Sequence, residues 1–214
     1  GLMEYNPALW RGNLDRDLPP PAKVQKVEHH EAMPLVELQK KISCFYPATN
    51  RTRQAILFTI LTASRVGESV PARWDEIDWE NRIWSVPPER RKDQKPFPHR
   101  VPLSDQAIEL LKSIERKGEA IFCFDADNLG SRYSLSHLLK RMTGTKATMH
   151  GFRSTFRDWA AENGVPDVVA EKCLMHTTGN AVVQAYQRSD LLEQRRSVMQ
   201  AWADAVFENA GARK

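Results

Sequence analysis

The chain has 214 residues, with 31 Lys and Arg against 27 Asp and Glu, a formal charge of +4, and 41% hydrophobic residues. That size and apolar content suit one cored domain with an appendage, and no apolar run approaches the roughly 18 residues of a membrane span. Cys44, Cys123 and Cys173 are too scattered for a disulfide framework or a zinc site, and GLMEYNPALW has no secretory pattern, so a reducing cytoplasm is the expected home.

Residues 1–33 read as a linker. Pro7, Pro19, Pro20 and Pro21 interrupt regular structure, and the charges around them follow no apolar period. His29 and His30 lie between Glu28 and Glu31, but neighbouring side chains on an extended chain point opposite ways, so no metal is expected there. The domain proper is expected over residues 34–214.

Leu35, Leu38 and Ile42 share a helical face, which predicts a helix from Pro34 to Ser43. Asn50 is a good N-cap for a helix over Arg51–Ala63, apolar nearly all round and therefore central. RIWSVP at 82–87 and RVPL at 100–103 read as strands, joined by the charged, Pro-rich PERRKDQKPFPH. Asp105 reads as the cap of a helix to Lys117, followed by a short buried segment at Ile121–Phe124. The last third is predicted helical: Ser136–Met142, His150–Asn163 closed by Gly164, Pro166 at the first position of a helix to Leu174, a helix from Asn180 through Tyr186, and an amphipathic helix from Leu191 to Phe207. The fold class is thus mainly α with a small antiparallel β-hairpin (α+β).

Charge is distributed unevenly. Arg132, Lys140, Arg141, Lys146, Arg153 and Arg157 fall between Asn128 and Arg157 without one Asp or Glu. The segment Glu89–Arg100 carries five Arg and Lys against two acids, Arg91, Lys92 and Lys95 among them. One-sign segments favour a polyanion partner over a plain solvated face.

Three sites attract chemical interest. His150 and Arg153, three apart, share a helix face and can reach one group. Arg65 ends an almost wholly apolar helix, with Glu68 three residues on. A structural Arg–Glu pair explains this, and so does an Arg steadied by a carboxylate to face a phosphate. Tyr186 is one of only four tyrosines. A phenol with a pKa of about 10 attacks poorly unless cations stabilise its anion, and arginines on a phosphate would do that.

The stretches LTASRVGESVPARWDEIDWENRIWSVPPER, KDQKPFPHRVPLS, MHGFRSTFRDWAAENG and LMHTTGNAVVQAYQRSDLLEQRRSVMQAWAD together make the chain resemble the catalytic domain of tyrosine recombinases, the phage integrases, and in particular those of prophages and genomic islands. Residues 6–30 likewise resemble the linker that precedes this domain, which implies N-terminal DNA-binding domains ahead of it. By that resemblance Arg65 and Arg153 clamp the scissile phosphate, Glu68 supports Arg65, and Lys92 is the general acid toward the leaving 5′ oxygen, with Lys95 its rival. His150 handles a proton, His176 hydrogen-bonds the phosphate, and Tyr186 is the nucleophile. Arg91, Lys95, Arg132, Lys140, Arg141 and Lys146 are expected to meet DNA.

The implied activity is site-specific recombination through a 3′-phosphotyrosyl intermediate, integrating and excising a mobile element. It requires neither metal nor nucleotide cofactor. The implied partners are double-stranded attachment-site DNA, other copies of the chain in a tetramer on DNA (a monomer when free), an excisionase and DNA-bending accessory proteins, in the bacterial cytoplasm at the nucleoid. A type IB topoisomerase-like relaxing enzyme and a non-catalytic DNA-binding regulator are the alternatives.

Overall fold

The computed structural model describes residues 11, 14–16, 32–93, 95–125, 128–129, 132–176 and 189–208. The chain divides into two units, Gly1–His30 and Glu31–Lys214. Of the first, the described part is a 3₁₀ turn at Leu14–Arg16. The second begins slightly earlier than the expected residue 34. Met33 is fully buried in its core, and the Met33 carbonyl accepts a hydrogen bond from Thr155 Oγ1 at 2.6 Å.

Helix α1 spans Leu35–Lys41 and continues as a 3₁₀ turn at Ile42–Cys44. Helix α2, Arg51–Leu61, starts where Asn50 Oδ1 accepts from the Arg53 amide at 3.0 Å. Every residue of α2 from Gln54 to Leu61 is buried, so its low amphipathicity reflects enclosure on all sides. A short helix, α3, covers Val66–Ser69.

Strands β1 (Ile77–Asp78), β2 (Ile83–Val86) and β3 (His99–Pro102) form one antiparallel sheet in that order, with Trp84 opposite Val101 and Val86 opposite His99. The two-residue β1 carries too little alternation to be read from sequence. Helix α4 (Asp105–Lys112) follows, then a ribbon of β4 (Cys123–Asp125) and β5 (Asn128–Leu129).

Several boundaries differ from expectation. The cap of α4 is Ser104, not Asp105: Ser104 is extended and its Oγ accepts from the Ala107 amide at 3.3 Å, while the Asp105 carboxylate is used by Arg82. The helix also stops at Lys112, because Ser113 Oγ turns back to the Leu110 carbonyl at 2.7 Å. Helix α5 is longer than expected, Arg132–Thr143, since no Gly or Pro interrupts it after Gly130. Pro166 is the N-cap of α7 (Asp167–Cys173), with ψ at 133°, outside the helix rather than its first residue.

Helix α6 runs Gly151–Glu162 and ends where Gly164 takes φ +68°, a left-handed conformation that an L side chain resists. Helix α8, Leu192–Phe207, packs on α1, α2, α6, α7 and β3, so it belongs to its own core. Trp202 is its anchor. It is fully buried, edge-on to Phe156 at 5.5 Å between centroids, beside Trp159 at 5.3 Å, and its Nε1 donates to the Ile60 carbonyl of α2 at 2.8 Å. The end of α2 is thereby tied to α6 and α8. Arg65 comes a few residues after that end, and Arg153 lies on α6.

Candidate functional site

Arg65 is the N-cap of α3. Its backbone is extended, and Glu68 reaches back to accept both the Arg65 amide (2.9 Å) and Arg65 Nη1 (2.8 Å). Glu68 is only 2% exposed, whereas the Arg65 side chain keeps 19% of its surface open. The pair is structural in that Glu68 closes the helix start. It is also polarised, because the buried carboxylate holds the base of a guanidinium whose other face stays reachable.

Arg153 projects from the first turn of α6 and is 4% exposed. Its Nη1 donates to the Ala63 carbonyl at 2.6 Å, and its Nη2 to the Leu174 carbonyl at 2.5 Å and to His176 Nε2 at 2.9 Å. Two left-handed non-glycine residues serve this arrangement: Ala63 at φ 47°, at the end of α2, and Met175 at φ 52°, between Leu174 and His176. Each costs about 1–3 kcal/mol and persists because the surroundings fix it. Burial, and then the neighbouring charge of Arg65, bring the Arg153 pKa down to about 10, still protonated at neutral pH.

His176 ends the turn after α7. Arginine can only donate, so His176 Nε2 accepts from Arg153 and its proton sits on Nδ1, which donates to Glu171 Oε2 at 2.6 Å. Burial and the Arg153 charge lower the His176 pKa, against Glu171 which raises it. The imidazole is therefore neutral, held between a cation and an anion. Glu171 Oε1 also meets Arg157 Nε at 2.9 Å, and Arg157 Nη1 reaches Asp167 at 3.0 Å. Glu171 escaped the sequence reading. Its signal, five residues before His176, is a spacing that fits no regular helix face.

Arg65, Lys92, Asp93, Glu171, Met175 and His176 line one open cleft of about 380 Å³. Lys92 is exposed within the β2–β3 connection. Lys95 lines a larger neighbouring cavity of about 670 Å³ with Arg100, Lys172 and Arg195, and does not line the first. His150 is the exposed N-cap of α6, and its carbonyl accepts from the Arg153 amide at 3.0 Å. Tyr186 lies outside the described residues.

The expected DNA-facing cations separate into groups. Lys140, Arg141 and Lys146 are exposed on and after α5, while the Arg132 side chain lies outside the described residues. Arg91 is 7% exposed, with Nε and Nη2 donating to Asp93 and Nη1 to the Phe97 carbonyl. The one-sign run from Asn128 to Arg157 is likewise less free than its composition implies, because Arg153 is buried and Arg157 is paired.

Among the described residues no group of three or more His, Cys, Asp and Glu is placed to hold a metal ion, and no helix is long and apolar enough to cross a membrane. The arrangement is a cationic clamp on a mainly helical frame, suited to a phosphate, with a neutral histidine beside it and a lysine at its mouth. The chain belongs to the phage integrase family, whose model matches residues 25–193. It is 38% identical to prophage integrase IntA of Escherichia coli (strain K12) over 161 residues, 72% of this chain and 38% of that protein. It is 32% identical to the integrase of Enterobacteria phage P4 over 206 residues, 86% of this chain and 47% of that protein.

The chain thus spans about two fifths to one half the length of these two relatives. Among solved structures, an integrase from mycobacterium phage Brujita superposes with a TM-score of 0.64 at 18% identity, over 82% of this chain and 59% of that one. A lambda integrase dimer bound to a COC′ core site gives 0.55 at 18% identity, over 72% and 60%. The fold is that of the tyrosine recombinase catalytic domain.

Proposed function

We propose that this chain is the catalytic part of a site-specific DNA recombinase, an integrase that cuts and rejoins DNA through a 3′-phosphotyrosyl bond. The observation that carries the reading is the convergence of Arg65 and Arg153. Arg153 Nη1 donates to the Ala63 carbonyl, two residues before Arg65, and Arg153 Nη2 to His176, which lines the same cleft as Arg65; the Arg65 charge adds to burial in lowering the Arg153 pKa. Glu68 and Glu171 offset part of this repulsion, and an anion between the two guanidinium groups would offset more; a phosphodiester is the anion the family handles.

In this reading the Tyr186 phenol oxygen attacks the scissile phosphorus. The bond from phosphorus to the 5′ oxygen breaks as the Lys92 ammonium gives that oxygen a proton, leaving a free 5′-OH and a 3′-phosphotyrosine. A 5′-OH from a partner strand then attacks the phosphotyrosine and releases Tyr186. One phosphodiester replaces another of similar energy, so the exchange needs no energy source. Arg65 and Arg153 stabilise the charge on the five-coordinate phosphorus, His176 orients a phosphate oxygen, and His150 handles the tyrosine proton. The lining of the Arg65 cleft by Lys92, and not by Lys95, supports Lys92 as the acid.

Lambda integrase has been solved as a tetramer bound to a Holliday junction, which supports a tetramer of this protein on its DNA. Exposed Lys140, Arg141 and Lys146, with Lys95, would follow the backbone of the duplex. The first unit, residues 1–30, is read as the linker from N-terminal DNA-binding domains, and an excisionase and DNA-bending proteins as accessories at the nucleoid.

The test is covalent capture. The protein is incubated with a library of nicked duplexes with randomised flanks around one scissile phosphodiester, and denaturant-stable adducts are selected over several rounds. Adducts are expected for the wild type and for Tyr133→Phe, and none for Tyr186→Phe. Equal capture by Tyr186→Phe would overturn the assignment of the nucleophile, and capture by none of the three would overturn the recombinase reading.

A further inference from the structure

Lys92 stands between two residues that are bonded to each other. Arg91 Nε donates to Asp93 Oδ1 at 2.8 Å and Arg91 Nη2 to Asp93 Oδ2 at 2.7 Å, a two-toothed pair closed across the lysine. Arg91 Nη1 donates to the Phe97 carbonyl at 2.7 Å, and the guanidinium lies 5.0 Å from the Phe97 ring centroid. The two charged side chains are 4% and 12% exposed, while Lys92 is exposed.

The residue just before is fixed as well. Arg90 pairs with the Glu76 carboxylate and donates to the Pro71 carbonyl, and the same Glu76 oxygen accepts from Trp84 Nε1 of β2 at 2.9 Å. Burial would neutralise Asp93, but the Arg91 hydrogen bond and charge outweigh it and hold the carboxyl below its ordinary range, so the pair is ionised at neutral pH.

A lysine has four rotatable bonds, and a Pro-rich connection could carry it through many positions. Here the side chains on both sides of Lys92 are locked into one largely buried ion pair, and Lys92 lines the cleft that holds Arg65 and His176. A two-toothed guanidinium–carboxylate pair imposes geometry as well as attraction, and a lysine at position 91 could not supply it.

We propose that the Arg91–Asp93 ion pair is a positioning device that presents Lys92 to the leaving 5′ oxygen, with Arg91 acting through Lys92 and not through direct contact with DNA. The proposal rests on the recombinase reading and on Lys92 as its acid. Its chemistry gives a specific signature. The 5′ oxygen needs the Lys92 proton as its bond to phosphorus breaks. A bridging 5′ sulfur leaves as a thiolate without one, so a defect confined to acid delivery disappears on that substrate.

The experiment compares the captured duplex in two forms, with oxygen or with sulfur at the scissile 5′ bridge, for wild type, Lys92→Ala, Arg91→Ala and Asp93→Asn. Covalent adduct rates, thermal midpoints and the salt dependence of DNA binding are measured. Wild type should react with both forms, and Lys92→Ala should regain the wild-type rate on sulfur. Arg91→Ala and Asp93→Asn should each lose between about 10- and 100-fold on oxygen, the scale of a misplaced catalytic group, and regain the wild-type rate on sulfur with an unchanged salt slope.

An equal loss on both substrates, no loss on oxygen, or a salt slope reduced by about one ion for Arg91→Ala would each overturn the proposal, the last by making Arg91 a phosphate contact. If Arg91→Ala does not fold, Asp93→Asn decides by the same criteria. Failure of Lys92→Ala to recover on sulfur would instead remove Lys92 as the acid, and absence of any wild-type adduct would remove the recombinase reading. The proposal falls in either case, and the controls tell the two apart.

Discussion

Arg153 Nη2 lies 2.9 Å from His176 Nε2, and because a guanidinium can only donate, this contact fixes the histidine as the neutral Nδ1–H tautomer. A protonated His176 would place one cation's donor against another's, so the geometry of the clamp depends on that proton staying away. His99 is under the same constraint. Arg195 Nη2 faces His99 Nε2 at 3.3 Å, and burial together with the charges of Arg195, Arg91, Arg153 and Arg65 pushes the His99 pKa well down.

Both histidines have folded-state pKa values below the ordinary figure of about 6.5. The unfolded chain therefore binds more protons than the folded one near pH 6, and stability rises with pH there. Their contribution is present above about pH 6.5 and is lost as pH falls through the lower folded values. Urea midpoints should drop between pH 7 and pH 5, and the drop should be smaller in His99→Gln. An identical acid slope in the variant would mean that His99 is protonated in the native protein.

Glu68 satisfies two donors of Arg65 from a buried position. Glu68→Ala leaves them open and should cost about 2 kcal/mol in chemical denaturation, the scale of an unsatisfied buried hydrogen bond to a charged group. Glu68→Gln keeps one acceptor and should cost less. Both should also slow covalent adduct formation, because the Arg65 guanidinium loses its support.

Trp202 joins α8 to α2 and α6. Trp202→Ala opens a large cavity and should destabilise the domain by about 3–5 kcal/mol. Trp202→Phe keeps part of the packing and loses the bond to the Ile60 carbonyl, so its midpoint should fall between wild type and Trp202→Ala. A Trp202→Ala midpoint near wild type would place the anchor of the core elsewhere.

Among the described residues of the basic segment, Lys140, Arg141 and Lys146 are exposed. Exchange of all three for Gln should weaken DNA binding about equally across sequences and reduce the slope of log affinity against log salt by up to about 2.7, roughly 0.9 for each lost phosphate contact. Fluorescence anisotropy at several salt concentrations measures it. Arg157→Gln should change that slope little, because Arg157 is engaged by Asp167 and Glu171.

Much of the frame was legible in local residue patterns. The all-round apolar run after Asn50 required an enclosed helix, and α2 is enclosed. Residues 82–87 and 100–103 read as strands, and β2 and β3 pair there. These are local signals, since capping and periodicity act within a few residues. The motifs also placed Arg65, Glu68, Lys92, His150, Arg153 and His176 in one family pattern.

How the charges are used depends on packing between distant segments. Nothing local distinguishes Arg91 from Lys92, yet one is buried against Asp93 and the other stands in the cleft. Glu171 became the partner of His176 only because the turn at Met175 folds the chain back. The carbonyls that hold Arg153 come from residues 90 positions before it and 21 after it. The physical reason is that a charge is assigned its task by desolvation and by the acceptors within about 3 Å, and those are set by packing between segments far apart in the chain.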